Sequence, residues 1–102
     1  MNKIKVMQFQ NAKQVISKNK NPLIQKGVKT LAIFGSVARQ EEKKWSDIDI
    51  LIDFDAKKGL FGFADIKNYL ESILKCEVDL VSKNALHPAL KKRILDEARN
   101  VF

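Results

Sequence analysis

Three aspartates and a Gly-Ser pair are the residues of this 102-residue chain best suited to chemistry. The stretch Asp47-Ile48-Asp49-Ile50-Leu51-Ile52-Asp53-Phe54-Asp55 alternates apolar and acidic side chains almost without a break. Neighbours along a strand point to opposite faces. Ile48, Ile50, Ile52 and Phe54 should therefore share one face, and Asp47, Asp49, Asp53 and Asp55 the other, around Leu51. Asp47 and Asp49 stand two strand rises apart, about 6.6 Å between Cα atoms, near enough for both carboxylates to converge on one hard cation. Without a cation or a basic partner, two such charges repel. A bare Asp-x-Asp is more commonly a solvated outer face, and Asp53 and Asp55, at the strand's exit, suit turn chemistry.

The upstream context gives Asp47 and Asp49 a sharper reading. Gly35 and Ser36 end an apolar run, Leu31 to Phe34, and ten residues separate them from Asp47. Backbone N–H groups and a hydroxyl presented there would suit a phosphate, and a returning loop of that length would set the Gly-Ser turn opposite the carboxylates. Arg39 would add positive charge to the same anion or serve as an ordinary surface arginine. A third acid, Asp79, lies in Glu77-Val78-Asp79-Leu80-Val81, where Val78 and Leu80 face one way and Asp79 the other. A helical crossover between the two strands would leave them close in one sheet. Two Mg²⁺ ions held by Asp47, Asp49 and Asp79 would bring up a nucleoside triphosphate, activate an attacking oxygen and neutralise a leaving pyrophosphate. From the residues alone, the constellation points to metal-dependent phosphoryl or nucleotidyl transfer.

The elements that must position these groups are legible from periodicity. Phe9, Ala12, Val15 and Ile16 mark a one-faced helix over about 8–19, and Asn21-Pro22 resembles an N-cap followed by a first-turn proline, with Gly27 as the stop. Strands are expected at about 29–34, 46–54 and 77–82, with a short helix over about 37–42. A longer helix over about 61–75 carries Phe63, Ile66, Leu70, Ile73 and Leu74, and Pro88 opens a last one with Leu90, Ile94, Leu95 and Ala98 on one side. The fold class is α+β (α/β): a short mixed β-sheet flanked by helices. Tyr69 falls at core-like helical spacing, Trp45 reads as packing or interface, and Phe61 and Phe63, around Gly59 and Gly62, as a loop closing over the sheet or a partner contact. His87, before Pro88, reads as a cap or surface residue.

Length sets one domain over 1–102, a basic helical segment over 1–27 leading into a core over 28–102. The formal charge of +7 is not evenly spread: residues 1–30 hold seven lysines and no acid, and the remainder balances twelve basic against twelve acidic side chains. A uniformly cationic nucleic-acid binder is therefore disfavoured, and nucleic acid is not the expected direct substrate. No apolar stretch approaches the roughly 18 residues of a membrane span, and no apolar block follows the basic start as in a secretory signal. The single cysteine, Cys76, allows no internal disulfide, reads as core filler, and fits a cytoplasmic location.

Taken together, Phe34-Gly35-Ser36-Val37-Ala38-Arg39 followed by Ser46-Asp47-Ile48-Asp49-Ile50-Leu51 resembles the signature of the DNA polymerase beta-type nucleotidyltransferase superfamily, and within it the minimal nucleotidyltransferase (MNT) group. The resemblance continues through Val78-Asp79-Leu80-Val81, Leu86-His87-Pro88-Ala89-Leu90 and Ile94-Leu95-Asp96-Glu97-Ala98, covering about 28–102. One departure is Gln40, where many relatives have glycine. The resemblance implies Asp47 and Asp49 as metal ligands, Asp79 as third acid and general base, and Gly35, Ser36 and Arg39 as nucleotide-binding elements, with Mg²⁺ as cofactor and ATP as substrate. It further implies an antitoxin that transfers AMP to a tyrosine of a HEPN-domain ribonuclease toxin, its partner. A non-catalytic antitoxin acting by binding, or a small-molecule nucleotidyltransferase with an aminoglycoside-like acceptor, are the alternatives.

Overall fold

A computed structural model of the chain describes residues 9–38 and 48–102, and for Ser36 and Val37 the backbone only. Lys3, Lys5, Arg39, Gln40, Trp45, Ser46 and Asp47 lie outside the described residues. The chain opens with α1 (Phe9–Lys18), whose Phe9, Ala12 and Ile16 are buried at the expected spacing. The next helix, α2 (Lys20–Gln25), starts earlier than the Asn21-Pro22 pair suggested. Pro22 is tolerated because it falls in the first turn, where backbone N–H groups have no partner within the helix. Asn19 at this junction is engaged elsewhere: its amide donates to the Val15 carbonyl and its Oδ1 accepts from the Tyr69 hydroxyl, both at 2.8 Å. Gly27, at φ +107°, turns the chain into the sheet as expected of a stop.

Four strands follow among the described residues: β1 (Val28–Phe34), β2 (Ile48–Phe54), β3 (Val78–Ser82) and β4 (Arg99–Asn100). They lie in the order β3-β2-β1-β4, with β2 antiparallel to β1 and parallel to β3, and β4 antiparallel to β1. The sheet is therefore mixed, as the sequence implied. The fourth strand was not expected: it is only two residues long, and its pairing is extended by backbone bonds between Leu31 and the terminal Val101 and Phe102. Two residues carry no readable period.

Between β1 and β2 stands α3 (Gly35–Ala38), which begins at the Gly-Ser pair itself. The crossover from β2 to β3 is α4 (Gly59–Leu74), which buries Ile66, Leu70 and Leu74. It starts two residues before the expected bound, so Phe61 belongs to its first turn and is 91% exposed. Phe61 does not close over the sheet; Phe63 does part of that, its ring 5.5 Å from that of Phe54. The last helix, α5 (Pro88–Glu97), has no buried residue, and Leu90 and Leu95 on its apolar side stay exposed.

One hydrophobic cluster joins these elements: Phe9, Ala12 and Ile16 of α1 and Leu23 of α2 pack with Leu31, Ile33, Ile48, Ile50, Ile52, Ile66, Leu70 and Val78. The basic N-terminal helices are thus welded to the core by their apolar stripe while their lysines face outward. Cys76 packs against this cluster.

Candidate functional site

The predicted alternation of β2 is present: Ile48, Ile50 and Ile52 are fully buried on the core face. The opposite face differs along its length. Leu51 is buried there beside its register partner Ala32, whereas Asp49 and Asp53 are half-buried. Strand register makes Asp49 the centre of a row, because it pairs with Phe34 of β1 on one side and with Asp79 of β3 on the other. Two in-register residues on neighbouring strands point the same way about 5 Å apart, so the Asp49 and Asp79 carboxylates lie side by side on one face. Asp79 is exposed to solvent.

Gly35 stands against this row. Its φ is +73°, and a Cβ built on it would collide with the Asp49 carboxylate, whose Cγ lies 3.0 Å from that position. Both facts require glycine: the left-handed backbone strains an L side chain, and the space is already taken by the acid. The Gly-Ser turn and the second aspartate of the Asp-x-Asp are therefore in direct apposition, as the ten-residue return implied.

Of the other residues singled out in the sequence, Ser36 lies in α3, while Asp47 and Arg39 lie outside the described residues. Asp53 belongs to the far end of β2, paired with Thr30. Asp55 caps the 3-10 turn Ala56–Lys58, its carboxylate accepting from the Lys57 N–H at 3.0 Å, which is the turn role read from sequence. His87 caps α5 through Nδ1, accepting from the Ala89 N–H at 3.1 Å. Neither joins the row.

Two residues near the row went unnoticed in the sequence. Glu71, one turn from the end of α4, accepts the Val78 N–H at 2.9 Å and so anchors β3 immediately before Asp79. Arg99 of β4 lies with its guanidinium 3.8 Å from the Phe9 ring centre and with Nη1 3.5 Å from the Ala38 carbonyl, at the end of α3. The sequence around Arg99, Ala98-Arg99-Asn100-Val101-Phe102, carries no period or motif that singles it out.

Among the described residues no group of three or more His, Cys, Asp and Glu side chains is gathered for a metal ion. The Asp49–Asp79 pair nevertheless fits a hard divalent cation: both donors are oxygens, they share a face and a register row, and paired carboxylates need positive charge between them. With Asp47 as the implied third ligand, the arrangement suits binding of a metal-complexed polyphosphate beside the Gly35 turn. No described helix is long and apolar enough to cross a membrane.

The chain is similar to known nucleotidyltransferases in sequence and in fold. The family model described as a nucleotidyltransferase domain matches residues 13–101. A candidate protein adenylyltransferase of Methanocaldococcus jannaschii is 49% identical over 80 residues, covering 78% of this chain and 86% of its own. The protein adenylyltransferase MntA of Thermococcus cleftensis is 34% identical over 93 residues, covering 90% of this chain and 94% of its own. A solved candidate minimal nucleotidyltransferase superposes with a TM-score of 0.80 at 32% identity, over 91% of this chain and 95% of that one. The likeness is of fold alone, with a TM-score of 0.66 at 22% identity over 91% and 71% of the two chains, for an MNT antitoxin of Shewanella oneidensis solved in complex with its tri-AMPylated HEPN toxin.

Proposed function

The chain belongs to the nucleotidyltransferase domain family, in its minimal branch, and from that membership we propose that it transfers AMP from ATP to a tyrosine of a HEPN-domain ribonuclease toxin and thereby neutralises it. The observation that carries the reading is Gly35 against Asp49 with Asp79 beside it: a turn without a side chain apposed to the Asp49 carboxylate, whose register partner on β3 is a second acid. Its relatives named as protein adenylyltransferases point to a protein as the acceptor.

In this reading Asp47, Asp49 and Asp79 would hold Mg²⁺, which when bound would supply positive charge to the triphosphate and to the departing pyrophosphate. Gly35, Ser36 and Arg39 bind the phosphates. Asp79, the exposed member of the pair, faces the arriving tyrosine and accepts its hydroxyl proton. The phenolate oxygen then bonds to the α-phosphorus as the bond to the bridging oxygen of pyrophosphate breaks in line, leaving AMP on the tyrosine. Orientation of the two substrates by fixed strands supplies much of the acceleration, because the row is built on β2 and β3 and not on a loop.

Intact mass measurement after incubation with the partner toxin, ATP and Mg²⁺ tests this. Each transfer should add one AMP unit, and Asp49→Ala should abolish the addition while leaving the two proteins in complex. An unmodified toxin with the unaltered chain, yet neutralised by it, would replace transfer by simple binding.

A further inference from the structure

We propose that Arg99 is a positioning residue for the nucleotide-binding turn, tying it to the N-terminal helix. The inference rests on the reading of Gly35 and Ser36 as nucleotide-binding elements. It starts from the size of α3, four residues long. One turn of helix cannot hold itself in place, since a helix gains from its own hydrogen bonds only beyond the costly first turn, and its last carbonyls find no partner within it. Where α3 sits must therefore be decided by what it touches.

One end is set by Gly35 against Asp49. The other end meets Arg99. The β4 pairing places Arg99 opposite Ile33, two residues before Gly35, so the side chain is delivered to the strand end from which α3 departs. There the guanidinium makes two contacts at once, Nη1 toward the Ala38 carbonyl at 3.5 Å and the cation over the Phe9 ring at 3.8 Å. Phe9 is 3% exposed and part of the core, so it is a fixed platform. Arginine suits this double task because its planar cation stacks on an aromatic face while its N–H groups donate in the plane; lysine supplies only the charge. Phe9 also lies before the residues 13–101 matched by the family model. Helix α1 is thus linked to the turn through a contact that the Gly-Ser and Asp-x-Asp signature does not contain.

The test is titration of Mg²⁺-ATP into the full chain and its Arg99→Gln, Arg99→Lys and Phe9→Leu variants, with amide hydrogen exchange of residues 35–38 and of β2 measured without nucleotide. Arg99→Gln should weaken ATP binding about tenfold and speed exchange at 35–38 while β2 is unchanged. Arg99→Lys should recover part of this, leaving a loss of about threefold, and Phe9→Leu should lose a similar amount. The Arg99→Gln, Phe9→Leu double variant should be no worse than Arg99→Gln alone, because both act through one contact. Should Arg99→Gln fail to fold, Arg99→Lys and Phe9→Leu carry the same comparison. Unchanged affinity and exchange, or exchange that rises equally at 35–38 and in β2, would overturn the proposal and leave Arg99 a general stabiliser. Faster exchange at 35–38 with unchanged ATP affinity would overturn instead the reading of the turn as a nucleotide site, as would a complete lack of ATP binding by the unaltered chain.

Discussion

Ile50 and Asp49 are neighbours in one strand, yet they answer to different demands. Ile50 has no exposed surface and packs in the cluster shared by α1, α4 and the sheet; Asp49 faces away, beside Asp79 and under Gly35. The core face is held by apolar area removed from water, roughly 25 cal/mol per Å², and tolerates no polar atom without a partner. The other face gathers the carboxylates of the candidate site. Burial holds the strand on one side and leaves the other to the site, so the two faces should be separable by mutation.

The sharpest separation is expected from a pair of variants. Asp49→Asn should cut AMP transfer by roughly a thousandfold, equivalent to about 4 kcal/mol in the barrier, with unfolding free energy within about 1 kcal/mol of the parent. Ile50→Ala should do the reverse, lowering stability by about 3 kcal/mol through lost burial and a cavity while residual folded protein keeps its rate. Denaturant melts beside initial rates would check both, and a large stability loss in Asp49→Asn would erase the distinction between faces.

Gly35→Ala sits on the boundary. It forces an L side chain into φ +73° and into the Asp49 carboxylate, so about 2 kcal/mol of stability should go together with most activity; an active, fully stable alanine variant would mean that the turn and the acid can separate at little cost. The smallest effect is expected at Glu71. Replacing it by alanine leaves the Val78 N–H without its partner, a loss of about 1–2 kcal/mol. Because Val78 precedes Asp79, kcat should fall several-fold more than stability explains, and Glu71→Gln, which retains an acceptor oxygen, should restore it.

The sequence was most informative where a period or a spacing repeats. The alternation of 48–54 announced which residues of β2 enter the core, and the helical spacing of Phe9, Ala12 and Ile16, or of Ile66, Leu70 and Leu74, did so for α1 and α4. It misled at places where local propensity yields to tertiary contact. Asn21-Pro22 has the composition of a helix start, but Asn19, held by Tyr69, set the junction earlier. Phe61, read as closing over the sheet or as a partner contact, falls in the first turn of α4 and is exposed, which leaves only the second of these.

What the sequence determined by itself was the chemistry available: the types and spacing of Gly35, Ser36, Asp47, Asp49 and Asp79, and the apolar periods that make strands and helices of their surroundings. These are local properties, carried by side-chain alternation and turn geometry within a few residues. Which groups stand next to one another was decided by the tertiary structure. The parallel pairing that sets Asp79 beside Asp49, the C-terminal strand that brings Arg99 to α3, and the helix that lends Phe9 as its platform all join residues more than 25 positions apart. Contacts across such distances leave no period in the chain, because they depend on how the buried faces of separate elements pack around one core.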